Sequence, residues 1–241
     1  MALAKTAVVV GVGPGLGAAV ARRFGKEGYK VAVLSRDLQK LQPVVQQIEQ
    51  EGGQALAVPC DAGKPEDVQR AFKQINDTLG PAEVLVYNAG PGFAWPPPGV
   101  LDVKPEDLAS AFAIGTTGAL VAAQQVLPAM LEAKKGTILF TGATASLRGG
   151  PKFIRLACPK FALRALAQSI AREVQPQGVH VAHVIVDGQI YLPTSRDRFP
   201  DRPTETFLDP DAMADTYWHL HQQHPTSWTH ELDLRPSTEK W

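Results

Sequence analysis

Four glycines, Gly11, Gly13, Gly15 and Gly17, follow a short apolar run at residues 7–10 and lead into a segment where Leu16, Val20 and Phe24 recur every four residues. Apolar residues four apart share one helical face, and a compact apolar run reads as a buried strand, so the segment is strand, glycine turn, helix. Glycine allows a tight turn and close backbone approach, while a helix N-terminus offers unpaired N–H groups and a positive dipole end. Those are the means by which a main chain cradles a diphosphate. The spacing G-x-G-x-x-G would require glycine at position 16, where Leu16 stands; G-x-x-x-G-x-G on Gly11, Gly15 and Gly17 fits instead. By themselves these glycines equally suit a strand-to-helix turn that binds nothing.

Ser35, Arg36 and Asp37 follow a second apolar run at residues 31–34. In a dinucleotide fold this point lies beside the adenosine ribose, where an acidic side chain accepts from the 2′-hydroxyl and an arginine favours a 2′-phosphate. Arg36 therefore favours NADP, and Asp37 keeps NAD as the less favoured cofactor. Other reactive side chains carry weaker signals. His180 and His183, three apart on a strand, point to opposite faces and cannot share a metal. His219, His221 and His224 read as a solvated or interface face, so no metal site is expected. Cys60 and Cys158 lie far apart with no C-x-x-C pair, and read as buried free thiols of a reducing compartment.

Positioning these groups requires an alternation of elements. Strands at residues 55–58, 84–87, 137–141, 179–186 and 228–234 alternate with helices at 38–48, 65–79, 102–130, 160–175 and 213–220. Pro65 and Pro105 suit first helical turns, and Asp209 followed by Pro210 is an N-cap with proline at the first helical position. Seven strands in such alternation predict an α/β fold, one doubly wound parallel sheet of Rossmann type, forming a single domain over residues 1–241. Ligands of such sheets sit at the carboxyl ends of the strands. Asp61, just past the third strand, is by residue type a common cap or turn former.

The G-x-x-x-G-x-G spacing, with Asn88-Ala89-Gly90 in register at the end of the fourth strand, resembles the short-chain dehydrogenase/reductase family over about residues 5–235. The resemblance implies cofactor contacts from Gly11, Gly15, Leu16, Gly17, Ser35 and Arg36. It further implies an adenine contact from Asp61 beside Ala62, a cofactor wall shaped by Asn88, Ala89 and Gly90, and contacts from Lys160, Gly188 and Ile190. Segment 188–208, rich in Pro, Asp and Arg, lies where relatives place a lid over a small carbonyl or alcohol substrate. In that family a tyrosine moves the proton while hydride passes between nicotinamide and carbonyl. A lysine four residues later holds the ribose, a serine about thirteen residues earlier polarises the carbonyl, and an asparagine completes a relay. Lys160 matches the lysine. Leu156 stands at the tyrosine, Ala143 at the serine with Thr141 and Thr144 nearby, and Gly115 at the asparagine. Asp187 replaces a usual proline, and Leu192 a threonine that binds the carboxamide. No tyrosine lies between Tyr87 and Tyr191, so no shift of register restores one.

Two functions stay open on these residues. One is an oxidoreductase with a substituted proton donor, for which Tyr191 is the best-placed phenol, working with Lys160. The other is a catalytically inactive nucleotide sensor or structural subunit of a larger assembly. The charge balance, 24 basic against 24 acidic residues, provides no field for nucleic acid or an anionic membrane. No apolar run reaches the length of a membrane span and no signal-like segment opens the chain, which predicts a cytoplasmic protein, or an organelle-matrix one after removal of a targeting segment. Relatives pair through the helices at 102–130 and 160–175, so a homodimer or homotetramer is expected.

Overall fold

In the computed structural model residues 3–92, 96–192 and 194–239 are described. The strand β1 (Ala4–Val10) buries its last five residues, as a strand covered by helices on both faces must, and so residues 7–10 are continuously apolar rather than alternating. It is followed by α1 (Leu16–Lys26), β2 (Lys30–Ser35), α2 (Leu38–Gln50), β3 (Gln54–Pro59), α3 (Pro65–Leu79) and β4 (Ala82–Tyr87). Then come α4 (Pro105–Phe112), a π-turn at Ala113–Thr117, α5 (Gly118–Ala133), β5 (Gly136–Thr141), α6 (Ile154–Val174) and β6 (Val179–Val186). The short α7 (Ser195–Arg198), α8 (Pro210–Gln222) and β7 (Glu231–Leu234) complete the chain. The strands form one seven-stranded sheet in the order β3-β2-β1-β4-β5-β6-β7 with every neighbouring pair parallel. One core lies between the sheet and α3, α5 and α6, the other between the sheet and α1, α2 and α8. Strand order reverses between β1 and β4, and that reversal opens a crevice at their carboxyl ends.

Pro65, Pro105 and Pro210 each sit in a first helical turn, and the Asp209 carboxylate caps α8 by accepting from the N–H groups of Asp211 and Ala212. Four expectations need correction. First, α6 begins at Ile154 and not at Lys160: Pro159 removes one hydrogen bond but packs so closely on Gly115 that a Cβ there would stand 3.0 Å from its Cβ, and the helix runs through it. Second, Cys158 is exposed, because Ala157, Pro159 and Lys160 take the inward positions of that turn; Cys60 is buried as expected. Third, the continuous helical stretch Pro105–Ala133 is long and apolar enough to cross a membrane, its most apolar window reaching a mean hydropathy of 1.3. That window is 44% buried inside the fold, where α5 packs on α3 and β4. Fourth, β7 starts at Glu231 and not at residue 228, because the Trp228 ring leaves the strand to stack on His180 with centroids 4.9 Å apart.

Candidate cofactor and substrate site

Gly11 ends β1 with φ +90°, in the left-handed region, and a Cβ there would fall 2.4 Å from the backbone nitrogen of Ala89. Only glycine fits both demands. At Gly17 a Cβ would stand 2.7 Å from the Gly11 carbonyl, so the first turn of α1 closes directly on β1. The Asn88 amide donates to that same carbonyl at 2.8 Å and pins the turn to the end of β4. No side chain caps α1, whose N-cap is Gly15. Beside Gly15, at 2.7 Å from where its Cβ would be, lies the Leu192 side chain, with Ile190 next to it; the start of the 188–208 segment thus folds over the N-terminus of α1. Leu16 itself is buried as the first residue of that helix.

A groove of about 250 Å³ opens on this turn and is lined by Gly11 and Gly13, by Ser35 and Arg36 from the end of β2, and by Asp61 and Ala62 after β3. Asn88, Ala89 and Gly90 close its wall. Arg36 is exposed and forms no ion pair among the described residues, while Asp37 is occupied as the N-cap of α2, accepting from the Gln39 N–H. Asp61 also serves its turn, accepting from the Gly63 N–H at 3.0 Å. The groove suits a dinucleotide: close-approach glycines, an uncapped helix end, and a free cation at the ribose position.

Lys160 lies where the groove meets β5. Its Nζ is 4.0 Å from the Cβ position of Gly90 and donates to the Thr141 carbonyl. The residue is 5% exposed, and burial pulls the ammonium down from 10.5 to about 8. One turn earlier, Leu156 faces a second, mostly apolar cavity of about 370 Å³, with Phe153, Val186, Gly188, Thr144 and Arg148 among its walls. Tyr191 lines neither space. Its N–H donates to the Leu208 carbonyl and its ring meets Phe207 edge-on at 5.8 Å. Gly115 is buried in the π-turn, and the adjacent Thr116 hydroxyl donates to the Pro159 carbonyl at 3.0 Å.

Two polar constellations escaped the sequence reading because their members are far apart in the chain. At the floor of the apolar cavity the Thr144 hydroxyl donates to Asp187, whose other carboxylate oxygen is 3.0 Å from Arg235. Deeper, Ser146, His183 and Glu231 stand in series. Ser146 Oγ and His183 Nε2 are 3.4 Å apart, and His183 Nδ1 lies 3.0 Å from Glu231, which Arg164 grips with two 2.7 Å bonds. Burial pulls His183 down to about 4, so the ring is neutral and donates a hydrogen bond to Glu231. Serine, histidine and acid in series are the parts of a nucleophile, but Ser146 is fully buried, lines neither the groove nor the apolar cavity and accepts from the Ala143 N–H, so the set is structural.

A further cavity, of about 1100 Å³, lies at the opposite, amino end of the strands. Several polar groups on its walls pair with one another: Tyr29 is 2.7 Å from His221 and 3.3 Å from Glu83, His221 is 2.9 Å from Thr137, and the exposed Lys135 is 2.9 Å from Glu83. His221 is therefore a buried network member, correcting for that ring the expected solvated or interface face, since α8 turns it inward onto Phe24 and Tyr29.

Residues 5–195 match the short chain dehydrogenase family. The fold is similar to a short-chain dehydrogenase from Rhodopseudomonas palustris, 34% identical with a TM-score of 0.80, over 96% of this chain and 99% of that one. It is also similar to a metagenomic short-chain oxidoreductase solved in complex with NADP, 27% identical with a TM-score of 0.83, over 98% and 99% of the two chains. Carbonyl reductase family member 4 of Xenopus laevis is 29% identical over 217 residues, 88% of this chain and 89% of that protein. With the glycine turn, the switch-point groove and Lys160 in the arrangement described, the chain belongs to the short-chain dehydrogenase/reductase family.

Proposed function

We propose that the protein is an NADP(H)-dependent oxidoreductase that interconverts a small carbonyl compound and its alcohol. The observation that carries the cofactor choice is Arg36, an exposed guanidinium at the end of β2 in the same groove as the glycine turn, while Asp37 is turned to capping α2. A bound nicotinamide would supply or accept the hydride. Gly15, Leu16 and Gly17 offer main-chain N–H groups to the diphosphate, and Asp61 with Ala62 flanks the adenine end. Lys160, against Gly90, would hold the nicotinamide-side ribose, and Gly188 and Ile190 would contact the nicotinamide. Leu156, Phe153 and Val186 line the substrate space with apolar surface. Leu156 cannot carry a proton, and Tyr191, turned to Phe207, does not face that space, so the transfer needs another group. The reading as an inactive sensor gains no support from the relatives, which are named for oxidoreductase and carbonyl reductase activity. Leu120 on α5 and Phe161 on α6, 38% and 42% exposed, favour pairing of two copies along these helices. The compartment we assign is the cytoplasm, in keeping with two free thiols.

Calorimetric titration with NADPH and NADH tests the cofactor assignment. NADPH is expected to bind at least about tenfold more tightly, a difference of about 1.4 kcal/mol, with Arg36→Asp removing the preference. Equal affinities would overturn the choice of NADP, and failure of both to bind would overturn the cofactor site.

A further inference from the structure

The substrate cavity contains one polar side chain whose proton is already committed. Thr144 sits in the 3-10 turn that follows β5 and lines the cavity. Its hydroxyl points to Asp187, the residue after β6, and since a carboxylate only accepts, the Thr144 proton lies on that bond. While Asp187 is ionised, Thr144 Oγ1, in the wall of the cavity, can therefore accept a proton but has none to donate. Asp187 is buried, and its second oxygen is held 3.0 Å from Arg235, which also binds the half-exposed Asp233 at 2.6 Å. Gly188, next in the chain, borders the same cavity, so the Thr144–Asp187 pair lies at the boundary between substrate space and the β6–β7 edge.

We propose that Thr144 is a catalytic residue that accepts the proton of a substrate hydroxyl, and that Asp187, positioned behind it by Arg235, takes up the Thr144 proton in the same movement. The proposal rests on the NADP(H) oxidoreductase reading above. In the oxidation direction the substrate C–H bond breaks, and bound NADP⁺ would take its electron pair as hydride. The substrate O–H bond breaks, its proton bonds to Thr144 Oγ1, and the Thr144 proton passes to the Asp187 carboxylate. The alcohol is oxidised, bound NADP⁺ would be reduced, and the proton released rests on Asp187 until it passes to solvent. Carbonyl reduction runs the same steps backward, with protonated Asp187 recharging Thr144. The relay performs without a phenol what Leu156 cannot.

The test uses the NADPH-loaded protein, in which an alcohol can bind but not react. The probes are 1-phenylethanol and its methyl ether, which differ in the donated proton and suit the apolar walls. The alcohol is expected to bind about tenfold more tightly than the ether to the native protein and to Thr144→Ser, and no more tightly to Thr144→Val. In NADP⁺-dependent oxidation of 1-phenylethanol, Thr144→Val and Asp187→Asn should each lose about 100-fold in kcat, with KM and the NADPH dissociation constant changed less than about threefold and Thr144→Ser restoring most of the rate. Unchanged NADPH binding also shows that each variant is folded. Equal binding of alcohol and ether to native protein, absence of turnover, or undiminished kcat in Thr144→Val overturns the relay while leaving the cofactor site standing. Failure of native protein to bind NADPH overturns the underlying reading instead.

Discussion

Lys160 shows at the scale of one residue how the site is set against stability. Its folded pKa of about 8 lies below the unfolded 10.5, so between those values the unfolded chain holds more protons and stability rises with pH. At pH 7 both states are protonated and the fold carries the desolvation cost of the ammonium, on the order of 3 kcal/mol. Lys160→Met is therefore expected to raise the melting temperature of the cofactor-free protein by a few degrees at pH 7 and to weaken NADPH binding. Scanning calorimetry checks the first and titration the second; a melting temperature that falls in the variant would refute the desolvation account. The lysine's identity was legible in the sequence, whereas its burial beneath Gly90 and Thr141 was not, because burial depends on β4, β5 and α6 meeting.

At the scale of elements, neutral histidines tie strands and helices together. His183 joins β6 to Glu231 on β7, and His221 joins α8 to Thr137 on β5 and to Tyr29 after α1. Burial lowers both from 6.5 to about 4. A depressed folded pKa means that the unfolded imidazoles take up protons first. The stability they allow is complete above pH 6.5 and is lost as pH falls from 6.5 toward 4, by at most about 3 kcal/mol for each ring. Below that window Glu231, held down by its bonds to Arg164, adds its own loss. Urea midpoints at pH 7.5, 6 and 5 should fall in that order, and a constant midpoint would remove the histidines from the acid response. None of this was readable from spacing. His219, His221 and His224 share a short stretch, but which ring α8 turns inward is decided by the contact of that helix with α1 and the sheet.

For the whole molecule, the exposed Leu120 and Phe161 place apolar surface on the outer faces of α5 and α6, the two helices flanking β5 on one side of the sheet. Light scattering at micromolar concentration is expected to give a dimer or tetramer mass, and the double substitution Leu120→Glu with Phe161→Glu to give a monomer that still binds NADPH. A monomer mass for the native protein would remove the interface. Sequence alone determined the sheet, because apolar runs of strand length, helical periodicities and proline or aspartate caps are local signals that every partner arrangement must satisfy. It likewise determined the glycine turn and the residues around it, since a turn with φ +90° and contacts near 2.4 Å leaves glycine no substitute at position 11. Only the tertiary structure decided where α6 starts, which cysteine is exposed, that Tyr191 turns to Phe207, and that Thr144 meets an aspartate 43 residues away. Such pairings arise where β5 and β6 lie side by side, and no periodicity within either strand encodes the neighbour that packing will supply.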